Sequence, residues 1–328
     1  MIYIKPSFYN DFKCIASECT DNCCIGWEID IDDDSFKKYN SLKGGLGDEI
    51  RSKITTSEDG SRCFELAQND RCPFLNEQNL CRIIMGCGED AICDICKNHP
   101  RFYEWLPGVT ECGLGLSCEE VCRLLLSDEK PLELVEENDG EKIALCNEDD
   151  IIESDRYIFY SAFRERLFDI LKVSELTLEE KMVKILSLTE SFCGERIKIR
   201  GYEGLVEAYK KTEPIDDNWT AFINDLGERL DVALKAEDGF KALGADMLYA
   251  KILGYIIYRH LIKAVFDDSI MERVCFCVES VRFIYLCDMK RFSEKGELTL
   301  WDRIESLKGW SKQIEYSEEN VDYLIYGD

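Results

Sequence analysis

The spacing of hydrophobic residues divides the chain into two regions. From Arg156 onward, apolar residues recur every three or four positions, which predicts amphipathic helices almost to residue 328. Residues 247–266 and 270–292 predict long core helices, and residues 300–310 and 319–326 predict shorter ones. Thr177 stands three residues before Glu180, which is the spacing of a capping box at a helix start. Strands and helices do not alternate, so a doubly wound nucleotide-binding sheet is excluded.

The region before residue 127 is irregular in its pattern and rich in cysteine, glycine and turn residues. Residues 28–32 alternate polar and apolar side chains, which indicates a short strand or the lead-in to a helix at 35–39. We expect a mainly α protein, in which an irregular cysteine-rich metal-binding domain (1–126) packs on an α-helical domain (156–328). An acidic connector (127–155) joins the two.

Composition narrows the possible partners and location. Hydrophobic residues make up 45% of the 328 residues and charged residues 32%, as in ordinary globular proteins. The formal net charge of −26 argues against nucleic acid as a partner, because phosphate binding needs a basic surface. The first residues lack a basic, apolar leader, and the apolar stretch 247–266 carries Lys251, Arg259, His260 and Lys263. We therefore expect a cytoplasmic protein without a membrane span.

The cysteines are the strongest chemical signal. The chain holds 18, and 13 of them precede residue 123. The cytosol keeps ordinary thiols reduced, so this density favours metal binding or redox chemistry over a disulfide framework. Cys93 and Cys96 form the only C-x2-C pair, whereas a zinc ribbon needs two. Clustered thiolates still suit either a [4Fe–4S] cluster or zinc.

The order of the cysteine motifs is specific. It runs F-x-C-x4-C-x3-C-C-x2-W at 12–27, C-P-F-L at 72–75, L-C-x-I at 80–83, C-x2-H-P-R at 96–101 and G-L-S-C at 115–118. This order resembles the flagellin lysine-N-methylase family (FliB-like), over about the first 122 residues and more weakly in an aromatic helix near 246–261. The resemblance implies methyl transfer from S-adenosylmethionine to surface lysines of flagellin, and a [4Fe–4S] cluster in the enzyme.

The candidate metal ligands follow from these motifs. The first choice is Cys19, Cys23, Cys72, Cys81 and Cys96, followed by Cys14, Cys24 and Cys118. His99 lies within a cysteine motif and is either a ligand, a hydrogen-bond partner of a cluster sulfur or a packing residue. Cys275, Cys277 and Cys287 share one predicted helix and suit apolar packing. Cys63, Cys146 and Cys193 are isolated, and His260 is interpreted as an ordinary surface or core residue.

Cofactor-binding candidates lie beside the motifs, and no catalytic residue is assigned. Arg101 can pair with a carboxylate of S-adenosylmethionine or hold a loop carbonyl. Trp27, with Tyr103 and Trp105, can form an aromatic wall for a cation, although plain core aromatics are the simpler interpretation.

Two further functions remain open at this point. The cysteine region suits a zinc-stabilised interaction module, in which the acidic helical domain docks a basic partner. It also suits an iron–sulfur electron-transfer protein. Even within the methyltransferase interpretation, the cluster either binds S-adenosylmethionine at an open iron or is structural.

Overall fold

The structure, a computed structural model, describes residues 1–26, 28–58, 60–140 and 148–327. It is mainly α, as predicted. The helices are α1 (Asp33–Ser41), α2 (Gly45–Ser52), α3 (Arg82–Cys87), α4 (Asp94–Asn98), α5 (Glu119–Leu125), α6 (Glu148–Lys172), α7 (Leu178–Cys193), α8 (Tyr202–Lys210), α9 (Asp217–Glu228), α10 (Leu230–Lys235), α11 (Glu237–Lys241), α12 (Asp246–Leu261), α13 (Ala264–Asp267), α14 (Ile270–Lys295), α15 (Leu300–Gln313) and α16 (Glu318–Tyr326). The strands are β1 (Ile2–Pro6), β2 (Ile54–Thr56), β3 (Arg62–Phe64), β4 (Arg101–Leu106), β5 (Val109–Leu114) and β6 (Leu134–Asn138).

The chain divides into two compact units. The helical unit comprises Met1–Phe12, Tyr103–Ser117 and Val121–Asp328, and the cysteine unit comprises Lys13–Phe102 and Cys118–Glu120. This division differs from a single cut after residue 126. The reason is that β1 pairs in parallel with β5 and antiparallel with β6, which ties the chain start to later segments.

The acidic connector differs from its prediction in extent. Leu134–Asn138 forms β6, the last strand of a sheet with the order β4-β5-β1-β6, and α6 begins at Glu148. This stretch therefore contains a short strand, and the helical region starts earlier than residue 156.

The helical unit is organised around α12 and α14, whose apolar residues are buried on most sides. The predicted helix 247–266 is interrupted after Leu261, where the amides of Val265 and Phe266 bond three residues back, to Ile262 and Lys263. The predicted capping box at Thr177 is confirmed, since its hydroxyl accepts from the Glu180 amide and the Glu180 carboxylate accepts from the Thr177 amide. Throughout the described ranges, no helix is both long and apolar enough to cross a bilayer.

The cysteine unit is built from short elements around a small core. Phe74 and Tyr39 are fully buried there, and the Phe64 ring lies 4.9 Å from that of Phe74 and 5.8 Å from that of Tyr39. The predicted helix at 35–39 is confirmed as α1, which the Asp32 carboxylate caps by accepting from the Ser35 amide at 2.8 Å. Residues 28–32 form the lead-in, with one isolated bridge between Asp30 and Cys63.

Candidate metal centre

Backbone hydrogen bonds bring Cys24 and Cys72 together although 47 residues separate them in the chain. The Cys72 amide donates to the Cys24 carbonyl at 2.9 Å, and the Gly26 amide donates to the Asp70 carbonyl at 3.0 Å. Gly26 has a φ of +91°, a conformation that glycine adopts without steric cost. The local backbone therefore places the first and second cysteine motifs side by side.

A compact loop then returns Cys81 to the neighbourhood of Cys72. The Arg82 amide donates to the Phe74 carbonyl at 2.7 Å, and Leu75 and Cys81 form an isolated bridge. The Asn76 side chain closes the loop by accepting from the amide of Leu80 at 2.9 Å. Since Phe74 is anchored in the core, this loop fixes Cys81 next to buried side chains.

The C-x2-C pair lies at the start of α4. Cys93 occupies the N-cap position, Cys96 lies in the first turn, and the two thiols hydrogen-bond each other. The Tyr39 hydroxyl lies 3.2 Å from the Cys93 sulfur, inside the core. The hydrogen bond from Cys96, reinforced by that from Tyr39, lowers the pKa of Cys93 despite its burial. Cys96, the donor of that bond, has a raised pKa.

These thiols converge. We call Cys24, Cys72, Cys81, Cys93 and Cys96 the thiol cluster, because their charges act on one another. Burial, together with Cys81 and Cys93, raises the pKa of Cys72 to about 11, although the Phe74 amide opposes this. Neighbouring thiolates disfavour one another, so a cation between them would relieve the repulsion.

Cys23 borders the thiol cluster through Cys24. A hydrogen bond from the Cys24 thiol lowers the pKa of Cys23 against the effect of burial, and His99 lowers it further as a hydrogen-bond partner and a charge. The same pairing raises the pKa of Cys24. His99 is therefore in contact with a candidate ligand, in keeping with its interpretation as a hydrogen-bond partner of sulfur.

Cys19 and Cys118 belong to a second group. The Cys19 thiol donates to the Glu119 carboxylate at 3.5 Å, and the hydroxyl of Thr20 donates to the same oxygen at 2.7 Å. Burial, with contributions from Glu119 and Cys118, raises the pKa of Cys19 to about 12, while the Asp21 amide opposes it. Cys14 is exposed, and its sulfur accepts from the Ala16 amide at 3.4 Å.

The eight predicted ligands thus separate. Cys24, Cys72, Cys81 and Cys96 come together, Cys23 adjoins them, and Cys19 and Cys118 form another group. Cys14 contacts the Ala16 amide. Cys93 was missed, and its C-x2-C spacing with Cys96 was the signal that could have identified it. Glu119 and Tyr39 carried no such signal, because only the fold brings them to sulfur.

The donor chemistry of the thiol cluster fits a soft metal, since five sulfur atoms share one buried neighbourhood. None of the 17 cysteines in the described ranges forms a disulfide. Across those same ranges, no three His, Cys, Asp or Glu side chains are already arranged as a preformed metal site. The cluster therefore has the right donors and would have to contract around an ion.

The predicted cofactor-binding residues occupy different places. Arg101 is half-buried at the first residue of β4, and Trp27 lies outside the described residues. The Tyr103 ring stacks on that of Trp105 with centroids 5.7 Å apart and an 18° tilt. Trp105 is 71% exposed, so it is a surface residue and not a core aromatic. The Tyr9 hydroxyl donates to that of Tyr103 at 3.4 Å.

Two cysteines of α14 and His260 are packed in the interior of the helical unit. Cys277 and Cys287 are buried in α14, and burial raises the pKa of both thiols. His260 is a core residue whose Nε2 lies 3.0 Å from Glu315, and burial lowers its pKa to about 4. The packing interpretation of these residues agrees with their surroundings, while Cys146 lies outside the described residues.

Comparison with known proteins identifies related sequences but no protein of known structure. No family model and no solved structure match the chain. It is 31% identical over 137 residues to the flagellar biosynthetic protein FliU of Salmonella muenchen, which covers 40% of this chain and 81% of FliU. It is equally similar to proteins named Lysine-N-methylase from Salmonella choleraesuis and Salmonella typhimurium. That match spans about a third (34%) of each Lysine-N-methylase.

Proposed function

Because this chain belongs to the family of the flagellar biosynthetic protein FliU, we propose that it is a protein-lysine N-methyltransferase. Two relatives bear the name Lysine-N-methylase, and FliU is named for the flagellum. The proposed methyl donor is S-adenosylmethionine, and the proposed substrate is a surface lysine of flagellin. The net reaction forms a bond between the lysine nitrogen and the methyl carbon and breaks the carbon–sulfur bond. The sulfonium keeps the electron pair as S-adenosylhomocysteine, and the ammonium proton passes to solvent.

The thiol cluster is the observation that carries the metal dependence of this proposal. Cys72, Cys81, Cys93 and Cys96 would hold the metal, with Cys24 as the alternative fourth or additional donor. Held by three of these thiolates, a [4Fe–4S] cluster would supply an iron able to take the amino and carboxylate groups of S-adenosylmethionine; held by four, it would supply a cross-link for the fold. The Tyr39 hydroxyl would orient the Cys93 sulfur through its hydrogen bond.

Metal analysis and a methylation assay test the proposal together. We expect anaerobically purified protein to carry iron and sulfide, and flagellin incubated with it and S-adenosylmethionine to gain the mass of one methyl group per modified lysine. Cys81→Ser should lower both the metal content and the methyl transfer at least tenfold, by a rough expectation for a lost ligand. Cys87→Ser, an exposed thiol of the same unit, is the matched control.

Three results would contradict parts of this proposal. Colourless, zinc-loaded protein that methylates flagellin would refute the iron–sulfur cluster alone. Iron-loaded protein that leaves flagellin unmodified would favour an electron carrier, and zinc-loaded inactive protein would favour an interaction module. Unchanged metal content in Cys81→Ser would remove Cys81 from the ligand set.

A further inference from the structure

A surface cleft lies in the cysteine unit beside α4. Its volume is about 270 Å³, and its lining residues are Asp30, Ile31, Asp32, Ser61, Arg62 and Ile95. Ile95 stands between Cys93 and Cys96 in the chain, so the cleft adjoins two members of the thiol cluster. No part of the proposed metal chemistry uses this space.

One wall of the cleft carries a carboxylate that is fixed in place. Asp32 accepts from the Ser35 amide at 2.8 Å and from the Asp94 amide at 2.9 Å. Two N–H donors on one carboxylate hold its orientation, and they connect it to the residue that follows Cys93. Asp30 adds a second, solvent-exposed carboxylate two residues earlier.

Arg62, the one cation among the described lining residues, already pairs with a carboxylate. The Arg62 guanidinium lies 2.8 Å from the Asp33 carboxylate and stacks 4.1 Å from the Phe36 ring. Counting Asp30, Asp32 and Asp33 against Arg62 leaves a local formal charge of −2. An anionic ligand is therefore disfavoured, and a cation is attracted.

The rest of the lining includes apolar side chains, which favour an organic cation over a metal ion. Ile31 is buried, and Ile95 is half-buried, on the sides of the cleft. Two carboxylates and one serine supply too few oxygen ligands to hold a divalent ion unless it keeps several of its own waters, and the apolar lining does not support those waters. An alkylammonium suits the cleft better, because its methylenes pack on the isoleucines while its charge meets the carboxylates.

We propose that this cleft binds the alkylammonium side chain of the lysine that is to be methylated. The identification of the ligand as a substrate lysine rests on the proposed function. The preference for an alkylammonium group rests on the lining of the cleft alone. It places the lysine beside Ile95, which stands between Cys93 and Cys96 in the chain. Asp30 and Asp32 are then substrate-positioning residues.

Ligand-observed NMR on the full chain tests the binding without any need for catalysis. The probe is butylammonium, which reproduces the end of a lysine side chain, and 1-butanol is its neutral counterpart. We expect saturation transfer to butylammonium and little to 1-butanol. Asp30→Asn should raise the dissociation constant of butylammonium about fivefold or more, the change expected from one lost charge contact.

Asp34→Asn is the matched control, because Asp34 is an exposed carboxylate of the same segment that pairs with Lys37 outside the cleft lining. It should leave the dissociation constant within about twofold. Equal binding of butylammonium and 1-butanol, or equal weakening by Asp30→Asn and Asp34→Asn, would overturn the proposal. Binding that Asp30→Asn leaves unchanged would also overturn it.

Kinetics separate this proposal from the proposed function. If methyl transfer to a lysine substrate is observed, Asp30→Asn should raise KM for that substrate by a similar factor and change kcat little, since it acts on binding. A lower kcat at unchanged KM would refute the positioning role. If the protein transfers no methyl group, selective butylammonium binding still supports the cleft, and its absence refutes the cleft and not the enzymatic proposal.

Discussion

The two units use cysteine in opposite ways. In the helical unit, Cys277 and Cys287 are buried among apolar residues of α14, and burial raises their thiol pKa values. In the cysteine unit, other thiols as well as burial raise the pKa values of Cys72 and Cys96. The same side chain therefore serves as a small hydrophobe in one region and as a candidate ligand in the other. Its neighbours decide the role, and its own exposure does not.

The size of the elements gives the same contrast. The helix α14 has 26 residues, whereas α1 has nine and α4 has five. Helices as short as α1 and α4 are marginal by themselves, so their stability must come from tertiary contacts or from a bound metal. We therefore expect the helical unit to be held by packing and buried ion pairs, and the cysteine unit to depend on the proposed metal.

The largest expected effect comes from removing a cluster thiol. Cys72→Ser should abolish metal binding and expose residues 13–102 to limited proteolysis, because a structural metal contributes about 10 kcal/mol to folding. The helical unit should resist the protease. Cys277→Ser is the counterpart in that unit and should lower its stability while the metal content stays normal. Equal metal content in Cys72→Ser and Cys277→Ser would contradict the different roles of cysteine in the two units.

A buried ion pair should produce the next effect. The Arg164 guanidinium binds both oxygens of Glu111, at 2.7 and 2.5 Å, and both side chains are almost fully buried. Arg164→Met should lower the free energy of unfolding by about 3–5 kcal/mol, because it leaves a buried carboxylate uncompensated. Arg82→Met, which breaks the exposed pair with Glu49, should cost under about 1 kcal/mol. Urea denaturation of both variants measures the difference, and similar costs would contradict it.

The pH response of the helical unit should depend on Asp288. Burial, against hydrogen bonds from Tyr249 and Ser306, raises the pKa of Asp288 to about 6 from 3.8. Between these two pH values the folded state holds more protons than the unfolded state, so this contribution to stability is lost as pH rises. Relative to Asp288→Asn, the wild-type protein should lose roughly 2 kcal/mol between pH 4 and 6. Parallel stability curves for the two proteins would refute the assignment.

A helix cap should give the smallest effect. Thr177→Ala removes the hydroxyl that accepts from the Glu180 amide at the start of α7 and should cost about 1 kcal/mol. Thr177→Ser keeps the hydroxyl and should restore most of this stability. Metal content should be unchanged in both variants. A loss of metal in Thr177→Ala would show that the two units are not independent in stability.

Residues whose role follows from local spacing were predictable. The capping box at Thr177, the core helix α14 and the mainly α content follow from side-chain periodicity, which acts over a few residues. The break after Leu261 was not predictable, because an apolar pattern continues through it. The pairing of β1 with β6 was also missed, since it joins residues more than 125 positions apart.

The sequence alone determined that sulfur is the dominant chemistry, which motifs carry it and which family the chain resembles. The sequence could not show which of the cysteines come together as candidate metal ligands. Cys93, Cys96 and Cys72 share a neighbourhood only because backbone bonds and a core around Phe74 fold distant segments together. The same folding separates Cys19 and Cys118 into another group and forms the cleft beside Ile95. Motif spacing measures distance along the chain, whereas metal and substrate sites depend on distance through space, and only tertiary packing converts one into the other.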